Sequence, residues 1–192
     1  MTDASSSSPP PRLRPTRAEL EAARGRAIPD VIADDLVVLF CGINPGLWSG
    51  LTGWHFAKAG NRFWKALHLG GFTPEVLHPS ERLRLLEWGY GITNVVARAT
   101  ATADELAPEE YVAGGRALVR KVRRRRPRWL AVLGIGAYRL AFGRPLATIG
   151  PQEETIGGTR LWVLPNPSGL NAHYGVAALG EQFRALHEAA HR

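Results

Sequence analysis

Two loops of the sequence each place an asparagine next to a proline. The first reads Gly42-Ile43-Asn44-Pro45-Gly46, and the second reads Pro165-Asn166-Pro167-Ser168-Gly169-Leu170. Proline restricts the preceding residue to extended geometry, so the Asn44 carboxamide is held in one orientation. A carboxamide is a poor base, yet its oxygen can hold a water for attack when the leaving group departs early. The alternative is an ordinary turn, because Asn-Pro and Pro-Gly are common turn dipeptides.

Each of these loops follows a short apolar run that predicts a buried strand. The runs cover residues 36–41 (LVVLFC) and 161–164 (LWVL), and further strands are predicted at 91–96 (GITNVV) and 129–133 (WLAVL). Continuous apolar runs are typical of parallel strands that are covered on both faces. Ligands of such sheets bind beyond the carboxyl ends of the strands, so both asparagine loops are expected at the functional edge.

Apolar spacing and capping residues predict helices between these strands. Ser80 is expected to cap a helix with Leu83, Leu86 and Trp88 facing inward, and Val112 is expected on the apolar side of a long helix. The remaining predicted helices, with that long one, cover residues 17–28, 61–69, 108–126, 137–142 and 175–191. This alternation predicts an α/β fold, a three-layer sandwich with a mainly parallel central sheet.

The chain of 192 residues, 45% of them hydrophobic, suits one compact domain and excludes a multidomain machine. We interpret the Ser-, Pro- and Arg-rich residues 1–17 as a disordered tail and residues 18–192 as a single domain. No apolar run approaches the roughly 20 residues of a membrane span. The tail also lacks the apolar core of a signal peptide, so we expect no membrane partner and a cytoplasmic location.

Cysteine content and charge narrow the class further. The single cysteine, Cys41, allows no internal disulfide and lies in a predicted strand, and no metal is expected. An excess of 24 basic over 17 acidic residues, a net charge of +7, favours a polyanionic partner such as nucleic acid. The arginine-rich run Arg123–Arg128 could bind phosphates, or it could be a solvated helix C-terminus whose cations complement the helix dipole.

A dense aromatic segment follows the first loop, with GWHFA at residues 53–57 and NRFWK at residues 61–65. With GINPG before it, and YGITNVVARAT, AGGRALVRKV and WVLPNPSGL after it, this segment resembles the mismatch-specific uracil-DNA glycosylase and thymine-DNA glycosylase family of the uracil-DNA glycosylase superfamily. The similarity runs in consistent order from about Leu36 to Leu170. It implies a uracil-DNA glycosylase-like fold and an enzyme that needs no cofactor, and we expect a monomer at the bacterial nucleoid.

The resemblance implies a role for the residues of the first loop and the aromatic segment. Asn44 matches the catalytic residue that positions the attacking water. The backbone amides of Ile43 and Phe56 match those that hold the extruded base, and the Phe56 ring stacks on its face. Ser49 matches a position near C5 of the base, and Gly46 permits close backbone approach in the same base-binding set.

The second loop is expected to face the scissile bond and the DNA. Asn166 matches a residue that helps order the base site. Leu170 matches an apolar wedge that enters the DNA stack, and Ser168 and Gly169 approach the DNA backbone. Ala172 stands where bacterial members of the family carry an arginine that contacts the orphaned guanine, so the resemblance does not carry dependence on an opposing guanine to this chain.

The implied reaction is hydrolysis of the N-glycosidic bond of uracil in mismatched double-stranded DNA by base flipping, which leaves an abasic site. Thymine and other damaged pyrimidines are further candidate bases. Backbone donors at the base oxygens stabilise the negative charge of the departing uracil. Because Asn44 stands where other superfamily members carry aspartate, we expect slow turnover and expect an Asn44→Asp variant to retain activity.

Other polar residues near the loops have competing interpretations. Lys58 or Lys65 could be the Schiff-base nucleophile of a lyase, but the family has Lys65 without that role, which favours a monofunctional glycosylase. His55 and His173 lie beside the two loops and could donate to phosphate or base, but a loop histidine is more often simply exposed, and we expect both to be exposed. Asn94 offers a further amide near the site.

Two other function classes remain compatible with the fold. A small-molecule hydrolase or nucleotide-binding protein is disfavoured because the sequence has no P-loop, GxGxxG or GxSxG motif. A non-catalytic DNA damage-binding module is disfavoured because Asn44, Phe56 and Leu170 occur together, and a sensor needs no water-positioning amide.

Overall fold

The computed structural model describes residues 14–192, so the tail predicted for residues 1–17 falls largely outside the described residues. Thr16 caps a short helix, α1 (Arg17–Glu21), by accepting a hydrogen bond from the backbone of Glu19. The helix predicted for residues 17–28 is wrong beyond Glu21. Gly25 adopts a left-handed φ of 78°, and such a residue cannot continue a right-handed helix.

A five-stranded sheet forms the centre of the fold in the order β2-β1-β3-β5-β4. Strands β1, β2, β3 and β5 run parallel, and β4 pairs antiparallel with β5 at one edge. This architecture confirms the predicted α/β class with a mainly parallel sheet. The strands are β1 (Val38–Gly42), β2 (Tyr90–Asn94), β3 (Trp129–Leu133), β4 (Gly150–Ile156) and β5 (Thr159–Leu164).

Sequence reasoning missed strand β4. Its residues alternate between exposed and half-buried, so they form no continuous apolar run. A signal was nevertheless present, since Gly157 and Gly158 form the two-residue turn to β5 with φ values of 57° and 93°. A Gly-Gly pair between two β-compatible runs is typical of a tight hairpin.

Helices cover both faces of the sheet and divide its core into two clusters. Phe40 of β1 packs on one face against Phe63 and Phe183, at ring centroid distances of 5.6 and 5.8 Å. Leu39, next to it in sequence, belongs to the cluster on the other face with Tyr138. The helices that follow α1 are α2 (Leu47–Thr52), α3 (Phe63–Leu69), α4 (Pro108–Arg125), α5 (Ile135–Phe142) and α6 (Val176–Ala190).

The helix predicted at Ser80 is a 3-10 helix, Pro79–Trp88, and it is capped by the His78 ring. With three residues per turn, this helix turns a different set of side chains inward than an α-helix would. Leu85 is buried, whereas Leu83 is 59% exposed, so the inward orientation predicted for Leu83 is wrong. Val112 is likewise exposed on α4. Helix α2 was not predicted.

Among residues 14–192, no helix is long and apolar enough to cross a membrane.

Candidate active site

A cleft of about 400 Å³ opens at the carboxyl ends of the parallel strands, and both asparagine loops line it. Gly169 is the one predicted site residue outside its lining; it packs against Gly60, whose carbonyl oxygen would lie 2.8 Å from a β-carbon at position 169. The predicted residues that line the cleft together are Ile43, Asn44, Gly46, Ser49, Phe56, Asn166, Ser168 and Leu170.

The Asn44 side chain is fixed by its amide nitrogen. Nδ2 donates to the Arg98 carbonyl at 3.0 Å, to Thr100 Oγ1 at 2.7 Å and to the Pro45 carbonyl at 3.2 Å. A carbonyl can only accept, so the NH₂ group must face these oxygens. Among residues 14–192 no donor reaches Oδ1, which leaves this oxygen available to a water in the cleft.

Thr100 is a buried residue of the site that was not predicted from the sequence. Its hydroxyl donates to the Thr102 carbonyl at 2.8 Å, so its oxygen is left to accept from Asn44. Its backbone N–H donates to the Pro45 carbonyl at 3.1 Å, which joins the 98–102 segment to the first loop. The sequence holds no local sign of this contact, because 56 positions separate Asn44 from Thr100.

This arrangement reverses one expectation from the sequence. A carboxylate at position 44 would place an oxygen where the NH₂ now lies, 3.0 and 3.2 Å from the Arg98 and Pro45 carbonyl oxygens. Oxygen atoms with partial negative charge repel a carboxylate at that distance. We therefore expect Asn44→Asp to lose activity rather than retain it.

Phe56 forms an aromatic wall of the cleft. It stacks on Phe63 with a centroid distance of 4.1 Å and an interplanar angle of 24°. Its φ of 54° is unusual for a residue other than glycine, and strain of this kind is concentrated at functional sites. The backbone N–H groups of Phe56 and Ile43 have no acceptor among residues 14–192, and both residues line the cleft.

Ser49 lies buried on α2 at the edge of the cleft, where its hydroxyl accepts a hydrogen bond from the Ala57 backbone N–H at 3.4 Å. Gly42 must lack a side chain here. A β-carbon at Gly42 would lie 2.6 Å from Asn94 Oδ1 and 3.2 Å from the Phe56 ring. The end of β1 thus lets Asn94 and Phe56 close in on the first loop.

His55 contradicts the expectation of an exposed loop histidine, because it is only 1% exposed and lines the cleft. Its Nε2 lies 3.0 Å from the Pro29 carbonyl, so Nε2 carries the proton. Burial lowers the pKa of this ring, which keeps it neutral at pH 7. The unprotonated Nδ1 then accepts a hydrogen bond from Asn94 Nδ2 at 3.5 Å. This bond fixes the orientation of the Asn94 side chain, which also lines the cleft.

The second loop is shaped by its own side chains. Asn166 Oδ1 accepts from the Ser168 backbone N–H at 3.0 Å, and the Asn171 amide donates to the Asn166 carbonyl at 2.9 Å. Leu170 stands at the tip of this loop and is 77% exposed. A large apolar side chain that is exposed on the rim of a cleft is accessible for insertion into a partner.

The other candidate residues lie in separate places. Lys58 lines the cleft and is exposed, whereas Lys65 and His173 are exposed outside its lining. Cys41 is buried in β1, and burial raises the pKa of its thiol, which agrees with the predicted core role. The Arg123–Arg128 run spans the end of α4 and the connection to the start of β3. It is therefore at the amino ends of the strands, opposite the cleft.

Comparison with known proteins identifies the family. The model of the uracil DNA glycosylase superfamily matches residues 29–189. The chain belongs to the uracil DNA glycosylase superfamily. The match spans the whole sheet and both loops of the cleft. The superfamily fold also agrees with the solution NMR structure of a Methanosarcina acetivorans protein, provisionally described as a uracil DNA glycosylase. The two have a TM-score of 0.56 and 20% identity, over 85% of this chain and 98% of the other.

Proposed function

We propose that this superfamily member is a monofunctional DNA glycosylase that removes uracil from double-stranded DNA by base flipping and hydrolysis, acting as a monomer. The observation that carries the proposal is the Asn44 carboxamide, whose NH₂ group is held by fixed acceptors while no donor among residues 14–192 reaches its Oδ1. Two backbone N–H groups without an acceptor among the same residues, those of Ile43 and Phe56, lie in the same cleft. Uracil in a mismatched duplex is the proposed substrate and thymine a further candidate, and Ala172 leaves the choice of opposing base to the assay.

Each part of the cleft has a task in this mechanism. The N–H groups of Ile43 and Phe56 donate to the oxygens of the extruded base, where negative charge develops as the glycosidic bond breaks. The Phe56 ring, supported from behind by Phe63, stacks on the base. Asn44 Oδ1 holds a water for attack on C1′ of the sugar, and Leu170 fills the space that the base leaves in the duplex.

The same observation weighs against a non-catalytic DNA damage-binding module. A sensor has to recognise the flipped base, but it has no use for a carboxamide that faces the cleft with its acceptor free. The exposed side chain of Leu170 disfavours the hypothesis of a small-molecule enzyme. A closed site for a small ligand has no use for a large apolar side chain that faces solvent.

A single-turnover assay tests the proposal. Labelled oligonucleotides carry uracil opposite guanine, opposite adenine or unpaired, and alkali converts abasic sites into strand breaks. We expect breaks with the wild type and a loss of about 100-fold or more with Asn44→Ala. Asn44→Asp, which keeps the size of the side chain but repels the Arg98 and Pro45 carbonyls, is expected to fall well below the wild type.

Equal rates for the wild type and Asn44→Ala would contradict the role of Asn44. DNA binding without cleavage in any context would favour the damage-binding module instead. Strand breaks without alkali would indicate lyase chemistry and direct attention to Lys58. The ratio between guanine and adenine contexts shows whether Ala172, which is exposed, has relaxed the preference for an opposing guanine.

A further inference from the structure

We propose that Arg62 is a positioning residue that holds the loop of residues 166–174 in the shape in which Leu170 can enter a DNA duplex. This inference rests on the proposed glycosylase function and adds a residue to it. Arg62 lies outside the lining of the cleft, and among residues 14–192 its side-chain hydrogen bonds go to the loop alone.

The Arg62 guanidinium binds three backbone carbonyls of that loop. It donates to the carbonyls of Ser168 at 2.5 Å and Asn171 at 2.8 Å, and also to the Tyr174 carbonyl. Its own backbone N–H donates to the Pro167 carbonyl at 2.9 Å. Four contacts from one residue therefore span the loop on both sides of Leu170.

These contacts matter because the loop has no strand or helix of its own from Pro165 to Tyr174. Its other side-chain hydrogen bonds join residues two to five positions apart, as between Ser168 and Leu170 or Asn166 and Asn171. Such local bonds shape a turn but do not attach it to the domain. Tyr174 packs against the core at the end of the loop, and Arg62, more than 100 positions away in sequence, supplies the side-chain hydrogen bonds that attach the rest of it.

Arginine is suited to this task by its chemistry. The planar guanidinium presents five N–H donors in a fixed geometry, whereas lysine offers a single flexible ammonium. No carboxylate of the residues that the structure describes forms an ion pair with Arg62, so the carbonyl oxygens are its acceptors. A loop ordered before it meets DNA loses less conformational freedom on binding, which strengthens insertion of the wedge.

The position of Arg62 also connects the wedge to the base pocket. Arg62 is the residue before Phe63, the first residue of α3 and the ring on which Phe56 stacks. The same short segment thus supports the aromatic platform with one residue and the wedge loop with the next. Extrusion of the base by Leu170 and its binding against Phe56 therefore both depend on the segment that contains Arg62 and Phe63.

The test compares Arg62→Ala and Leu170→Ala on two substrates. One is a duplex with uracil opposite guanine, and the other carries an unpaired uracil that is already unstacked. We expect each variant to lower the single-turnover rate about tenfold or more on the duplex and about twofold or less on the unpaired uracil. The double variant should be no slower than Leu170→Ala alone, because both changes remove one function. Arg62→Lys should recover only part of the rate.

Arg184→Ala is the matched control, since it also removes a guanidinium-to-carbonyl bond, to Leu69 at 3.0 Å, but away from the cleft. Equal losses on both substrates, or none with Arg62→Ala, would overturn the proposal.

If the wild type excises uracil from neither substrate, the glycosylase function has failed. The role of Arg62 is then measured by the fluorescence of 2-aminopurine placed beside the uracil, which rises when the neighbouring base unstacks. A smaller rise with Arg62→Ala than with the wild type supports the positioning role of Arg62, and equal signals overturn it.

Discussion

At the scale of single residues, the function proposed for Asn44 depends on the neighbours that bind its NH₂ group. Arg98 and Thr100 take up the NH₂ group and thereby decide which atom of the carboxamide faces the cleft. Arg98 is held in turn by Glu110, with Nε 2.6 Å from the carboxylate, and this contact lowers the pKa of Glu110 to about 2. The orientation of the amide is therefore anchored as far away as helix α4.

We expect Thr100→Val to slow uracil excision about tenfold with little change in DNA affinity, because one hydrogen bond that orients Asn44 is lost. Thr100→Ser keeps the hydroxyl and should retain most of the rate. Single-turnover rates and binding isotherms on the same oligonucleotide separate the two effects. A Thr100→Val variant as fast as the wild type would show that the Arg98 and Pro45 carbonyls suffice to orient Asn44.

His55 should make the protein sensitive to acid. Burial lowers its pKa, so its neutral form contributes stability that is fully present above the ordinary value of 6.5 and is lost as the pH falls through the folded pKa. Protonation also puts a hydrogen on Nδ1, opposite the Asn94 NH₂ group. We expect the unfolding temperature of the wild type to fall more steeply below pH 6.5 than that of His55→Gln. Parallel curves for the two proteins would refute this role.

At the scale of elements, close contacts of helix α4 explain two glycines that its helical propensity would disfavour. A β-carbon at Gly115 would lie 2.1 Å from the Ala141 carbonyl oxygen of α5, and one at Gly114 would lie 2.3 Å from the Val95 carbonyl oxygen. Glycine in a helix interior costs about 1 kcal/mol relative to alanine. Here the cost is offset because α4 can approach α5 and the segment after β2.

Gly115→Ala is expected to lower the free energy of unfolding by about 1–3 kcal/mol, because the added methyl group meets backbone that cannot move aside. Gly136→Ala in α5 is the matched control, since a β-carbon there meets nothing within 4 Å. That variant should be neutral or slightly stabilising. Urea denaturation of both proteins checks the difference, and equal midpoints would refute the close-packing argument.

At the scale of the whole molecule, the Arg123–Arg128 run lies at the amino ends of the strands, whereas the cleft lies at their carboxyl ends. Arg125 and Arg126, at the end of the sheet away from the cleft, are paired with Asp34 and Asp35 at 2.8 and 3.3 Å. Arg123 and Arg124 are exposed beside them. Because the cleft opens at the other end of the strands, we expect a duplex bound there to lie out of reach of these arginines.

We therefore expect the double variant Arg123→Ala/Arg124→Ala to bind a short uracil-containing duplex with the affinity and salt dependence of the wild type. Lys58→Ala, at the cleft, should reduce the slope of log affinity against log salt by about one, the effect of one lost phosphate contact. Binding titrations at several salt concentrations measure both slopes. A reduced slope for the arginine variant would place phosphates at the far end.

Local sequence patterns predict the buried strands, the mainly parallel sheet and the two asparagine loops at the carboxyl ends of its strands. These follow from properties of adjacent residues, since an apolar run such as 129–133 and an Asn-Pro pair are visible without any partner. Strand β4 was not predicted because its polar residues resemble those of a loop. The Gly157-Gly158 pair that follows it is nevertheless typical of a hairpin turn.

Three features of the site become visible only in the folded chain: the orientation of the Asn44 carboxamide, the burial of His55 and the contact of Arg62 with the second loop. Each of these depends on contacts between residues far apart in sequence, 56 positions for Asn44 and Thr100 and 106 for Arg62 and Ser168. Local patterns place a side chain on an element. The choice of hydrogen-bond partners across the fold sets its orientation, and that orientation decides what the side chain can do.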